Sequence, residues 1–278
     1  MIRSQTTSIS DVKPVSPAAG YVGGKRNLAR RICAILAQVD HDGYAEPFVG
    51  MGGIFLRRQT RPRVEVINDL SGDVATFFRV LAEHYPYFID LLRWRIASRA
   101  EFDRLLAIPP ERLTDLQRAA RFLYLQRLAF GGKVVGRCFG VDRNQGARFN
   151  ISKLEPMLAE IHERLAGVTI EQLPFDQFIP RYDRPGMLFY LDPPYFGSEG
   201  YYGADAFGRA DFARLVEILA AARGQFLLSI NDTPEIRELF DQFTIKAVST
   251  TYQVGHKPPV AGGAGELLIS NFALPGAT

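Results

Sequence analysis

Tyr44-Ala45-Glu46-Pro47-Phe48-Val49-Gly50-Met51-Gly52-Gly53 is an apolar run that breaks on a glycine-rich turn, after which Ile54–Arg58 reads as the start of a helix. A strand that feeds a helix through such a turn is the opening of a parallel α/β unit. The β-branched run Val64–Ile67 supplies the second strand and closes on Asn68-Asp69. Upstream, Lys25–Val39 places Leu28, Ile32, Ile35, Leu36 and Val39 on one helical face. Residues 1–17 are polar, carry two prolines and read as a flexible arm.

Downstream the strands stop. Segments 72–83, 86–97, 101–107, 114–130 and 154–166 show helical spacing, with Pro109-Pro110 as a break. Residues 131–150 differ, with five glycines and four cationic side chains, and read as a loop or β-hairpin. Trp94 is expected to pack in this helical region. Strand patterns return at 168–173, 187–191 and 226–230, alternating with helical segments 208–223 and 233–241. Two β-rich runs, 245–252 and 266–272, end the pattern around a Gly/Pro-rich loop that contains His256. The fold class expected is α/β, a doubly wound sheet with an antiparallel hairpin at its C-terminal edge and a mainly helical insertion.

Composition fits that architecture. The chain has 278 residues, 47% hydrophobic and 23% charged, with net charge +3. That is mildly basic, so a nucleic-acid partner requires the positive charge to be clustered. Cys33 and Cys138 are far apart and read as free thiols in a reducing compartment. The four histidines show no ligand spacing, so no metal is expected. The N-terminal segment lacks an apolar core, and no apolar run reaches the ~18 residues of a membrane span, so a cytoplasmic location is expected.

Two turns carry the chemistry. Glycines after a strand permit positive φ and close approach of a ligand. Asp69, about twenty residues beyond the first turn, can accept from both hydroxyls of a ribose, as in nucleotide folds. GxGxxG and the P-loop spacing are absent, which favours an adenosyl cofactor over a dinucleotide or nucleoside triphosphate. The second turn, Asp192-Pro193-Pro194-Tyr195, ends the buried-strand pattern 187–191. Its prolines remove two backbone donors. A carboxylate beside the Pro193 carbonyl then presents two acceptors, matching the two N–H groups of an exocyclic amino group. Such a nitrogen is a poor nucleophile, and acceptors that grip its hydrogens also stabilise the positive charge that develops on alkylation. Tyr195 can stack on the base, which must leave the duplex to reach the turn.

Taken in order, these motifs resemble the Dam-type (class α, D12) DNA adenine-N6 methyltransferases from about residue 17 to 272. Tyr21-Val22-Gly23-Gly24-Lys25 is similar to the family's WAGGK, and Glu46–Gly53 to its EPFVGxG loop. Asp192–Tyr195 matches DPPY, Ser229–Asp232 resembles SNHD, and Glu266-Leu267-Leu268 resembles ELL. Arg121–Arg127 resembles the family's FLYLNR run. Beyond Arg127 the chain departs from the family, with glycine for asparagine and a longer loop, so GATC does not carry over as the target.

The resemblance implies a Rossmann-like methyltransferase sheet. The catalytic domain would comprise 18–71 and 167–278, and 72–166 would be an inserted target-recognition domain with basic loop 131–150. It implies S-adenosylmethionine as cofactor, S-adenosylhomocysteine as product, and adenine as the DPPY target. Tyr21, Gly24, Lys25, Glu46, Pro47, Phe48, Gly50, Gly52, Gly53, Asp69 and Asp192 are the cofactor-binding candidates. Asp192, Pro193, Pro194 and Tyr195 are the catalytic candidates. Arg127, Lys133, Arg137, Arg143 and Arg148, with Phe139 or Arg137 near the vacated base stack, are the DNA-contact candidates. Double-stranded DNA is the expected partner of a monomer or weak dimer, with a restriction endonuclease as a candidate further partner. Methylation of cytosine N4 or RNA adenine, and a catalytically silent cofactor- or DNA-binding regulator, stand as alternatives.

Overall fold

The computed structural model describes residues 9–21, 23, 25, 27–141, 144, 146–197, 207–249 and 265–274. Gly24, Arg143 and the loop with His256 lie outside these.

The elements, in chain order, are β1 (Ser10–Asp11), α1 (Ala29–Leu36), β2 (Gly43–Glu46), a 3-10 turn at Phe55–Arg57, β3 (Thr60–Arg61) and β4 (Val64–Asn68). Five helices follow: α2 (Gly72–Glu83), α3 (Tyr85–Arg93), α4 (Arg99–Leu106), α5 (Asp115–Leu128) and α6 (Ile151–Arg164). Then come β5 (Thr169–Glu171), α7 (Phe175–Tyr182), β6 (Met187–Leu191), α8 (Arg209–Ala221), β7 (Gln225–Asn231), α9 (Pro234–Leu239), β8 (Thr244–Ser249) and β9 (Gly265–Ser270).

One sheet of seven strands runs β5-β4-β2-β6-β7-β9-β8. The first five strands are parallel, whereas β9 lies antiparallel between β7 and β8. The strand order reverses between β2 and β6, so the ends of those two strands, Glu46 and Leu191, open at the switch point where α/β sheets bind ligands.

Side chains alternate across the sheet. Tyr44, Ile67, Leu188, Tyr190, Leu227 and Leu268 face one core, which continues without a break into Phe77, Phe88, Phe122 and Leu158 of the helical block. Ala45, Val66, Phe189, Leu228 and Ile269 face the other, against Phe178, Leu215 and Ile236 of α7, α8 and α9. Period-2 alternation thus gives each strand two buried faces, as a parallel sheet requires. Within the helical block α5 is buried nearly all round, including Arg121 and Gln126. A capping box starts it: Thr114 Oγ1 accepts from Gln117 N, and Gln117 Oε1 accepts from Thr114 N.

Three expectations change. Residues 9–17 are not a free arm: β1 pairs with β3, Val15 N donates to Leu56 O at 2.7 Å, and Val15 is buried. The helix expected over 86–97 ends at Arg93. The Tyr124 hydroxyl donates to Ile96 O at 2.8 Å and accepts from Ser98 N at 3.0 Å, which fixes the linker in a non-helical course. Trp94, at the end of α3, is 89% exposed and packs in no core. One helix went unread, α7, because Pro174 precedes it and Pro180 lies within it. Its Phe175, Phe178 and Ile179 still hold the i, i+3, i+4 spacing of a buried face.

Candidate active site

The glycine turn is built by its backbone. Gly50 has φ +51° and Gly52 has φ +75°, and both close the path from β2 into the 3-10 turn. A Cβ on Gly50 would meet the Tyr21 ring at 3.2 Å, and one on Gly52 would meet Leu56 at 2.9 Å. Gly52 is thus a packing position, while Gly50 and Gly53 border a cavity of about 1030 Å³. That is room for a nucleoside-sized ligand with a second group beside it.

The cavity gathers most of the cofactor candidates: Tyr21, Lys25, Glu46, Pro47, Phe48, Gly50, Gly53, Asp69 and Asp192. Pro194 and Arg127 border it as well. The sequence reading missed Ser71, Tyr190, Phe175 and Asp176, which also line it. The last two come from the first turn of α7. Asp176 Oδ2 pairs with Arg214 at 2.7 Å, while its buried Oδ1 has no hydrogen-bond partner among the described residues.

Asp69 follows β4. Its Oδ2 accepts from Gly50 N at 2.9 Å and its Oδ1 from Ser71 N at 2.9 Å. Burial pushes its carboxyl up to about 6, against the pull of those two amides. Glu46, at the end of β2, accepts from the Tyr44 hydroxyl at 2.5 Å. Burial drives it up to about 8, so it is largely protonated at neutral pH.

Asp192 follows β6 and meets Lys25. The Lys25 ammonium, 3% exposed as a residue, lies 2.8 Å from Asp192 Oδ1 and 2.7 Å from Glu266 Oε1. It donates to the Tyr195 hydroxyl at 2.8 Å and sits 4.3 Å from the centre of that ring. The Tyr195 hydroxyl donates to Glu266 Oε2 at 3.1 Å. Burial raises Asp192 to about 6 even though Lys25 pulls it down. Pro193 and Pro194 are buried behind the turn. Asn231 braces its far end, accepting from Phe196 N and donating to Phe196 O, each at 2.9 Å. Lys25 therefore belongs to the Asp192 side of the cavity.

Loop 131–150 is shaped by the arginines read as DNA contacts. Arg127 donates to Arg148 O and Ala18 O, and Arg148 to Leu128 O and Gly140 O. Arg137 donates to Gln126 Oε1 at 3.0 Å and to Lys133 O at 3.2 Å. Phe139 packs edge-on against Phe102 with Arg99 over its ring, so it does not project as a wedge. Phe130, just before the loop, and Val135 and Val141 within it are exposed. Lys133 is half-buried.

Two strand-end turns, each with a carboxylate, thus face one cavity at the switch point of the sheet. The family model for D12 class N6 adenine-specific DNA methyltransferases matches residues 21–254. The chain belongs to this family. It is a DNA adenine-N6 methyltransferase, DNA is its substrate, and membership implies use of S-adenosylmethionine. The type II methyltransferase M1.LlaDCHI of Lactococcus lactis subsp. cremoris is 24% identical, with 92% of this chain and 95% of that one covered. The type II methyltransferase M.CviBI of Paramecium bursaria Chlorella virus NC1A is also 24% identical, covering 82% and 88%. The DNA N-6-adenine-methyltransferase of Escherichia phage P1 is 26% identical over 96% of this chain and 38% of its own length. Among the described residues, no helix is long and apolar enough to cross a membrane.

Proposed function

We propose that this D12 methyltransferase binds S-adenosylmethionine in the cavity between the Gly50 turn and Asp192, and methylates a flipped adenine at a specific site in duplex DNA. The observation that carries this reading is the Lys25–Asp192–Tyr195 cluster beside a cavity in which a further carboxylate, Asp69, is already aimed by two backbone amides. S-adenosylmethionine supplies a methyl group on a positively charged sulfur and leaves as S-adenosylhomocysteine.

Asp69, above half ionised at pH 7, accepts the ribose hydroxyls. Glu46 suits the ammonium of the amino-acid end, because a cation entering beside it favours its ionised form. Asp192 and the Pro193 carbonyl accept the two N–H groups of the target amine. The Asp192 carboxylate stabilises the charge that grows on N6 as the methyl arrives and the methyl–sulfur bond breaks, and one N6 proton is then lost to solvent. Tyr195, held by its hydroxyl, offers its ring to the base. The helices α2–α6 and loop 131–150 form the target-recognition domain. Arg127 at the end of α5, with Arg137 and Arg148 of the loop, keeps the shape that presents Lys133 to DNA. A cytoplasmic monomer or weak dimer, paired with a restriction endonuclease, belongs to the same proposal, supported by the type II designation of two relatives.

Expression in a host free of DNA methylation, followed by sequencing for N6-methyladenine, tests it. Modification at one recurrent sequence is expected. Methyl groups on adenine without sequence preference would remove the site-specific reading, and none at all would remove the assignment of the cavity.

A further inference from the structure

The pairing of Lys25 with Asp192 raises a problem of charge. A lysine ammonium 2.8 Å from the carboxylate that must stabilise a cation would cancel its field. The structure supplies a second acid on a different strand. Glu266 is on β9, 1% exposed, and β9 registers it opposite Asn231 at the end of β7. Its Oε1 is 2.7 Å from Lys25 Nζ and its Oε2 receives the Tyr195 hydroxyl at 3.1 Å. The cluster of Lys25, Asp192 and Glu266 thus holds two acids against one base and carries one negative charge with both carboxyls ionised.

Resting on the methyl-transfer reading above, we propose that Glu266 is a positioning residue that neutralises Lys25, fixes Tyr195 and leaves Asp192 its charge for the developing ammonium on N6. Glu266 touches neither cofactor nor base; it acts through Lys25 and Tyr195. A lysine held by Asp192 alone would leave the pair neutral, and a buried carboxylate pair without the lysine would repel. The three groups together keep the site anionic, with Glu266 buried and Asp192 open to the cavity. The groups facing Asp192 are Lys25, Tyr195 of its own turn, Glu266 from β9, Glu46 from β2, Tyr190 from β6 and Ser229 from β7. Among these, Glu266 and Glu46 are the other carboxyls, and Glu266 is the one tied to the same lysine.

The test compares E266Q and E266D with wild type in the full chain, on duplex DNA with saturating S-adenosylmethionine, by single-turnover rate across pH. Glutamine keeps the shape and removes the charge. The rate of E266Q is expected to fall on the order of a hundredfold, with cofactor affinity held within about threefold. The acid limb of its pH profile is expected to move to lower pH, because the repulsion that helps raise Asp192 is gone. E266D is expected to recover most of the rate and keep the wild-type limb. An equal loss in E266Q with an unmoved acid limb would mark a merely structural residue and overturn the proposal, as would an unchanged rate. If E266Q melts below the assay temperature, E266D decides: a rate as low as that of D192N overturns it, and a retained limb with at least about a tenth of the rate supports it. Product analysis of the wild type separates the two levels. Wild-type DNA lacking N6-methyladenine would sink the site assignment, whereas unaltered methylation by E266Q sinks only the role of Glu266.

Discussion

Two buried ionic clusters flank β2, and they are built with opposite surpluses. In the sealed one, Glu65 receives Arg58 at 2.9 Å, Arg164 at 2.7 Å and Arg61 at 3.3 Å, three cations on one acid. Arg58 also lies 3.6 Å from the Tyr44 ring centre and 2.9 Å from His41 Nε2. Burial holds that histidine below its usual pKa, so its ring stays neutral beside the guanidinium. In the other cluster two acids share one cation, and Asp192 is 22% exposed to the cavity. The first fastens β4 to α6, the last helix of the block. The second leaves an unmatched negative charge where the proposed methyl transfer would develop a positive one. Burial and pairing alone do not separate a structural cluster from a chemical one; the sign of the excess, and whether it opens on a cavity, does.

Substitutions on the two sides should therefore diverge. Asp192→Asn is expected to lower the methyl-transfer rate by about 10³-fold, about 4 kcal/mol at the barrier, with little change in melting temperature because Lys25 keeps Glu266. A rate loss under tenfold would place the chemistry elsewhere. Glu65→Gln leaves buried arginines uncompensated and is expected to cost about 3 kcal/mol of stability in a denaturant titration, with kcat per folded molecule retained. A kcat loss matching that of Asp192→Asn would erase the distinction between the clusters. The pH profile comes next in size. Asp192 acts ionised and is raised to about 6, so the wild-type rate should fall below pH 6 by about tenfold per pH unit, and be flat from 7 to 8. A limb near pH 4 would mean a solvated carboxylate. The smallest effect is expected at Trp94: with 89% exposure, Trp94→Ala should change stability by less than about 0.5 kcal/mol by thermal melt.

The sequence carried the strand and helix pattern furthest where one periodicity acts alone. The bounds of β6 and α2 match the runs 187–191 and 72–83 because both are continuous apolar patterns between clear breakers. The pattern faded where tertiary contact overrides local preference. Trp94 reads as core by hydrophobicity, yet Tyr124, thirty residues on in α5, decides where the preceding helix stops. The loop arginines read as outward charges, whereas a guanidinium has enough donors to satisfy the carbonyls of a glycine-rich loop. The Asp69 and Asp192 turns were legible because strand ends carry them at a fixed spacing from glycines and prolines. Glu266 was visible only as part of a motif. Its function comes from β9 registering against β7, a pairing no local pattern encodes.

The position of β9 also sets the order in which the Lys25 cluster is assembled. It is the last strand of the sheet to be synthesised, yet it must insert between β7 and an already synthesised β8 to bring Glu266 to Lys25, more than two hundred residues upstream. A chain whose β9 is not yet made has Lys25 with only one of its two acids. On the role proposed for Glu266, a nascent polypeptide completes this cluster last, after β9 has inserted.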